Sequence, residues 1–246
     1  MPYLLLQAEL PGPVKLLIVL AGLVAFGYAV YWLNKVVIQA EARRQEQRGR
    51  ALEAALAGRG FTFTHLVPPA KLGYLEGFSL IKHGLNGTKK LWNLLERAPA
   101  PGEGGPSVAL VDYTYTIMVG QYIQTRAVSA IHLELPPGPE IPAFTLSPEH
   151  GVLQRLGQAL GVQDFDFAEF PRFSNDFQLQ GRDEAAVRRY FTPALITTLE
   201  ARGAHGLTIE GRGRELLVFR EERVVEPANL PAWLEEGLEV GRIFAA

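Results

Sequence analysis

The sequence predicts an α+β soluble domain with a mostly antiparallel sheet, preceded by one N-terminal transmembrane helix. Three observations predict it. Leu16 to Leu33 is a run without a single charge, flanked by Lys15 and Lys35. Residues 111 to 134 alternate apolar and polar side chains on either side of Gly120, the pattern of an antiparallel hairpin. Hairpins close without crossover helices, so the helical stripes elsewhere in the chain belong to an α+β arrangement.

The first element is the apolar run. Eighteen helical residues at about 1.5 Å each span roughly 27 Å, close to the hydrocarbon thickness of a bilayer. A helix that is apolar on every side belongs in lipid. The organisation expected is a short translocated N-terminus (1–13), a transmembrane helix (14–36), a helical stalk (37–59) and a cytoplasmic domain (60–246). Lys35, Arg43, Arg44, Arg48 and Arg50 follow the run, whereas Lys15 alone precedes it. The basic side stays inside, which puts the domain at the cytoplasmic face of the inner membrane. Tyr28, Tyr31, Trp32 and Lys35 suit the headgroup layer. Ala40-Glu41-Ala42 has the look of a signal cleavage site, but no basic region precedes the run and the run is long for a signal. Ala21, Ala25 and Ala29, with Gly22 beside them, form a row of small residues on which a second membrane helix can pack.

Composition narrows the function classes. The chain has 246 residues, 48% hydrophobic and 20% charged, with a net charge of -2. That balance argues against nucleic acid as a partner, because phosphates need a basic surface. There is no cysteine, hence no disulfide framework, thiolate metal site or thiol nucleophile.

From Asn34 to Ala57 helix formers dominate, so the membrane helix continues as a stalk until Gly58 and Gly60, with Gly49 a weak interruption. The stalk arginines read as a solvated face shared with Glu41, Glu46 and Glu53, or as headgroup contacts. Phe61 to Thr64 reads as a strand, Lys89 to Arg97 as a helix, and residues 98 to 106 as an exposed loop. In the hairpin, Val111, Tyr113, Tyr115, Ile117 and Val119 share a covered face opposite Asp112, Thr114 and Thr116. Ile123, Ala127, Ile131 and Leu133 alternate with a wet set that includes Arg126 and His132. Prolines and Gly138 break the chain over 135–147, a candidate subdomain boundary. A helix is expected over 152 to 160, closed by Gly161, and Phe173 to Gln180 reads as extended. Asp183 opens a helix bearing Val187, Tyr190 and Phe191. Thr192 and Pro193 restart it, with Leu195 and Leu199 on its stripe until Gly203. Leu207 to Arg220 is a second hairpin turning at Gly211-Arg212-Gly213. Asn229 caps a last helix that buries Trp233, Leu234 and Leu238.

Several stretches carry a resemblance: Gly60-Phe61, Val111 to Tyr115, Ile141 to Leu146, Phe173 to Phe177, Gly181 to Glu184, and Phe191-Thr192-Pro193. In these and in the order of its features, the chain resembles a broad group of uncharacterised bacterial single-span membrane proteins with a cytoplasmic α+β domain. The resemblance covers most of residues 60 to 220. It implies a domain of unknown function and hands over no functional residue.

Motifs for chemistry are sparse. Asp164, Asp166 and Glu169 are the tightest carboxylate group, but a hard cation wants more donors than these and a flexible loop. Of the histidines His65, His83, His132, His150 and His205, none has the spacing of a zinc helix. Ser147 and His150 lack the surroundings of a nucleophile elbow. The glycine-rich pieces 102 to 105 and 211 to 213 do not form a phosphate-binding loop. No cofactor is expected. The densest unusual feature is aromatic: Phe165, Phe167, Phe170, Phe173 and Phe177, with Arg172 among them. An exposed share of these makes a docking patch, since aromatic residues and arginine anchor interfaces. The sequence therefore leans away from catalysis. It points to a membrane-anchored interaction module, an accessory or scaffold subunit whose partners are the lipid bilayer and other membrane protein subunits. The alternatives are a tethered enzyme with an unrecognised cleft and a lipid-sensing domain.

Overall fold

The computed structural model describes residues 12–68, 70–71, 75–82, 84–85, 87–99, 104–149, 163–202 and 206–246. The helix expected over 152 to 160 lies outside them, as do Gly203 and three histidines, His83, His150 and His205. The chain divides into two units between Gln47 and Arg48.

The first unit is helical throughout its described length. Helix α1 runs over Gly12–Ala55, 44 residues, with Pro13 in the first turn, where its missing N–H costs no hydrogen bond. Every residue from 12 to 44 is exposed. This is one helix long and apolar enough to cross a membrane, and none of its apolar window is buried. Ala21, Gly22, Ala25 and Ala29 lie on it, as do Tyr28, Tyr31, Trp32 and Lys35, all exposed.

The second unit begins with the last turns of α1, from Arg48 to Ala55. The helix stops there, and the turn that follows uses Gly58 and Gly60, both at φ +77°. The α+β expectation holds. Nine strands make one sheet: β1 (Thr62–Leu66), β2 (Lys90–Arg97), β3 (Ser107–Val119), β4 (Tyr122–Glu134), β5 (Ile141–Pro148), β6 (Gln163–Asp164), β7 (Phe177–Gly181), β8 (Thr208–Gly213) and β9 (Glu215–Phe219). Their spatial order is β1-β2-β3-β4-β9-β8-β5-β7-β6, and every neighbouring pair is antiparallel. The proline-rich stretch 135–147 leads from β4 into β5 of this same sheet.

Both faces of the sheet are covered. On one, Leu110, Ile131, Leu133 and Val218 pack with Leu52 of α1, with Leu56 just past its end, and with residues of four more helices. These are α3 (Pro171–Asp176), α4 (Glu184–Tyr190), α5 (Pro193–Arg202) and α6 (Leu230–Ala245). On the other, Val111, Tyr113, Ala130, Leu217 and Phe219 pack with Leu75 and Phe78 and with Leu80 and Ile81 of the one-turn helix α2 (Ser79–Lys82).

Several local expectations need correcting. Lys90–Arg97 is a strand, not a helix. Asp112 and His132 are not on a wet face: they are 6% and 7% exposed, because both faces of that half of the hairpin are covered, Asp112 by the end of α1 and His132 by Phe78 on the opposite side. The residues from Phe173 divide between helix α3, with Pro171 in its first turn, and strand β7. The second hairpin turns one residue later than expected, at Gly213 and Arg214. Asn229 stands at the start of α6 but its side chain makes no capping bond there, the turn Pro227–Asn229 taking that place. Asp183 does cap α4, accepting from the Ala186 N–H at 2.9 Å. Thr192 starts α5 in the same way, through the Leu195 N–H.

β3 and β4 pair in full register from Ser107 opposite Glu134 to Val119 opposite Tyr122. Their turn holds Gly120 at φ +62°, a conformation that suits glycine. β2 follows β3 as far as Thr114, and β9 meets β4 from Ala130. Among the described residues, then, no other strand pairs with the ribbon's far end. The covered face expected to run to Val119 stops near Tyr115, and Val119 is 45% exposed.

Candidate functional site

The helix end and the sheet meet at a buried polar cluster. Arg48 donates from Nε to Asp112 Oδ2 at 2.8 Å and from Nη2 to Oδ1 at 3.1 Å. It also donates to the Val225 carbonyl at 2.8 Å. Asp112 further accepts from Asn93 Nδ2 at 3.0 Å and from the Ser129 hydroxyl at 2.6 Å. Asn93 Oδ1 lies 3.0 Å from His65 Nδ1. Asp112 thus has four hydrogen bonds from three side chains around a carboxylate that burial would otherwise strand. The Arg48 side chain is 16% exposed, so it belongs neither to a solvated helix face nor to the headgroups. This cluster fastens the end of α1 to the sheet.

Two open concavities adjoin β5 and β8. One cavity of about 640 Å³ is lined by Ile141, Pro142, Ala186, Arg189, Tyr190 and Arg212. A second, of about 210 Å³, has Ser79, Lys82, Thr145, Gln180, Arg182 and Glu210 in its wall. They share Ala143 and Arg212 and form one groove. Arg212 donates to Glu215 at 3.1 Å and lies over the Phe78 ring at 5.4 Å. Gly77 leaves room for that guanidinium, since a Cβ there would overlap it. Glu210, 3% exposed, accepts from the Ser79 hydroxyl at 2.7 Å, from the Leu80 N–H at 3.0 Å and from the Ser79 N–H. Burial pushes its pKa up, against the pull of those hydrogen bonds. Glu210 therefore ties Ser79–Lys82 to the sheet. The groove offers cationic side chains to solvent, and its described walls hold no histidine.

A third cavity, about 300 Å³, is lined by Glu96, Arg97, Ser107, His132, Glu134 and Glu215 among others. His132 Nε2 stands 3.5 Å from Glu215 Oε1. That contact, with Arg212 on the other side, lowers the Glu215 pKa. His132 also meets Phe78 edge-on at 5.8 Å, so it packs as much as it pairs.

The residues singled out in the sequence do not converge here. Asp164 accepts from Gln178 at 2.9 Å, and Asp164, Asp166 and Glu169 are all exposed. Among the described residues no group of three histidine, aspartate or glutamate side chains is arranged to hold a metal ion. Ser147 is 4% exposed inside β5. The aromatic patch is largely closed: Phe165, Phe173 and Phe177 are 3%, 0% and 2% exposed. The cause is α3, which turns Phe173 inward onto Phe177 at 5.3 Å and Phe191 at 6.3 Å. Phe167 and Phe170 remain half-buried and Arg172 exposed, while Arg188 lies over the Phe167 ring at 5.1 Å.

One solved structure has a comparable arrangement. The fold is shared with a mycobacterial transport factor. The crystal structure of the mycobacterial trehalose monomycolate transport factor A, TtfA, matches with a TM-score of 0.51, covering 80% of this chain and 92% of that one. Identity is 11%, so the likeness is one of fold alone. No protein-family model and no curated protein matches the sequence.

The feature that sequence reading missed is the far end of the β3–β4 ribbon. Met118, Val119, Tyr122 and Ile123 are 63%, 45%, 75% and 72% exposed. Its signal was present, because no charged residue stands between Asp112 and Arg126.

Proposed function

We propose that the chain is a membrane-anchored interaction module: a non-catalytic accessory or scaffold subunit of a larger membrane protein complex. The observation that carries the reading is helix α1, whose apolar stretch has none of its window buried within the protein. A helix of that kind is stable in water only when covered, and lipid is the cover that asks nothing of its sequence. Lys35, Arg43, Arg44 and Arg50 on the C-terminal side of the apolar stretch favour a cytoplasmic domain. The shared fold with a protein named as a transport factor supports an auxiliary role beside a transport process. Ala21, Gly22, Ala25 and Ala29 would give the helix a face for a partner helix.

The test is extraction in mild detergent followed by identification of co-purifying membrane proteins, with Ala25→Leu and Ala29→Leu alongside wild type. A stable set of partners that the double variant loses supports the reading. A chain that runs alone in every mild detergent removes it. Protease added to intact cells checks orientation, since a cytoplasmic domain survives and an external one is shaved off.

A further inference from the structure

The exposed apolar tip of the β3–β4 ribbon is the largest piece of unspent chemistry in the second unit. Among its described residues, the large apolar side chains that stand exposed are Leu85, Met118, Val119, Tyr122, Ile123 and Val224. All but Val224 gather at this end, Leu85 being held there by its N–H to the Thr116 carbonyl at 2.8 Å. Monomers seldom leave such a patch open without a use for it.

The register says what shape the patch has. Met118 stands opposite Ile123, and Val119 opposite Tyr122. Directly opposed residues of an antiparallel pair share a face, and neighbours alternate. Apolar side chains therefore project from both faces of a ribbon two strands wide. A folded partner would have to wrap both faces to cover them. Fluid acyl chains do so without any fitted surface, and a tyrosine at the end suits the interfacial layer.

Behind the tip stand three lysines on the β2 side of the ribbon, with Glu221 and Glu222 near Tyr115 and Arg126. Thr88 accepts from the Thr116 N–H at 3.2 Å, which brings the segment leading into β2 alongside the ribbon. Lys90 is registered opposite Thr114, and Lys89 Nζ donates to the Lys82 carbonyl at 3.3 Å. Among the described residues no carboxylate lies within ion-pair distance of Lys82, Lys89 or Lys90, whereas Arg126 is paired to Glu222 at 2.7 Å. An apolar tip with three lysines set behind it, none of them in an ion pair among the described residues although Lys82 faces the buried Glu210 carboxylate, matches a surface that is oily below and anionic above.

We propose that the ribbon tip, residues 117–123, seats in the headgroup layer of an anionic lipid bilayer, with Lys82, Lys89 and Lys90 on the lipid phosphates. The proposal rests on α1 as the anchor, because tethering holds the tip at high effective concentration near lipid and lets a small contact suffice.

The chain has no cysteine, so single probes can be placed cleanly. The full chain carrying Tyr122→Cys, and separately Met118→Cys, is labelled with an environment-sensitive fluorophore and reconstituted into phosphatidylcholine vesicles with and without phosphatidylglycerol. Ala232→Cys, on the exposed side of α6, is the control. The expected result is a blue shift at 122 and 118 and quenching by nitroxide-labelled lipid, strongest with phosphatidylglycerol and absent at 232. Replacing the three lysines with glutamine should lower that quenching severalfold. Water-like emission at 122 and 118 in anionic vesicles that retain the chain overturns the proposal. So does a blue shift without lipid quenching that grows with the protein-to-lipid ratio, since the tip then packs on a second copy. Loss of the chain from vesicles on alkaline washing is a separate result: it overturns the anchor reading, and the tip proposal with it.

Discussion

Arg48 and Asp112 form a two-bond ion pair, at 2.8 and 3.1 Å, between the last turns of α1 and the centre of strand β3. Their side chains are 16% and 8% exposed, so neither charge has water to fall back on. Removing one partner from such a pair costs about 3 kcal/mol, largely because the survivor is left buried and unpaired. Arg48→Met should destabilise the domain by that order in urea unfolding followed by circular dichroism in mild detergent. Asp112→Ala should cost more, because it also strands the Asn93 amide and the Ser129 hydroxyl. Equal losses from the two variants would mean that Asn93 and Ser129 find other partners.

Gly49, next in the helix, carries an opposed pair of effects. Helix propensity alone favours Gly49→Ala by about 1 kcal/mol. The structure opposes it, since a Cβ would stand 2.7 Å from both Asn93 Oδ1 and Phe63 Cζ. Asn93 is held in the Asp112 cluster and cannot yield freely, and overpacking of this kind costs typically 1–3 kcal/mol. We expect Gly49→Ala to lower the unfolding midpoint. Gly22→Ala, where nothing lies within 4 Å, should leave the midpoint of the Arg48–Ala246 unit unchanged.

These two positions show why part of the fold was legible in the sequence and part was not. The apolar helix and the β3–β4 hairpin announce themselves by periodicity, which needs only local information. β2 does not. Asn93 sits at φ +53°, and the pairing with β3 shifts between Trp92 and Leu95. This bulge puts Leu91 and Leu94 in one core layer and Leu95 in the other. Apolar residues three and four apart imitate a helix, and the bulge that reconciles them with a strand cannot be read from spacing. Asp112, His132 and Arg48 were misplaced for a related reason. Each looks solvated until a second layer, remote in sequence, covers it. The phenylalanine run was legible as aromatic, but only the turn of α3 decides which rings face inward. The exposed tip was overlooked because alternation predicts which side chains share a face and says nothing of where the cover ends.

Glu210 gives the domain a pH signature. Burial raises its folded-state pKa above the ordinary 4.5. The folded state then binds more protons than the unfolded chain in the window between the two values. By linkage, stability is fully present below the unfolded value and is lost as pH rises through the folded one. Glu210→Gln removes the titration while keeping one oxygen to accept from Ser79 or Leu80. The fall in urea midpoint above pH 4.5 should therefore be shallower in the variant than in wild type. An unchanged slope would assign the pH dependence to other groups.

Gly211 and Gly237 both sit where a side chain would collide, yet the outcomes should differ. At Gly237 a Cβ would lie 2.4 Å from Ile131 Cδ1, the free end of a flexible chain that can rotate away. At Gly211 it would lie 2.3 Å from Cε1 and 2.8 Å from Cζ of Phe144. That ring has nowhere to go: it meets Phe191 edge-on at 5.0 Å and stacks on Phe244 at 5.4 Å. Ile141 Cγ2, at 2.9 Å, closes the remaining side. Gly211→Ala should therefore cost about 3 kcal/mol, at the upper end for overpacking, and Gly237→Ala about 1 kcal/mol. Thermal unfolding of the two variants measures the ratio. If Gly237→Ala proved the more damaging, the approach of α6 to β4 would be the tighter constraint, and the Phe144 cluster would have to be softer than its ring contacts indicate.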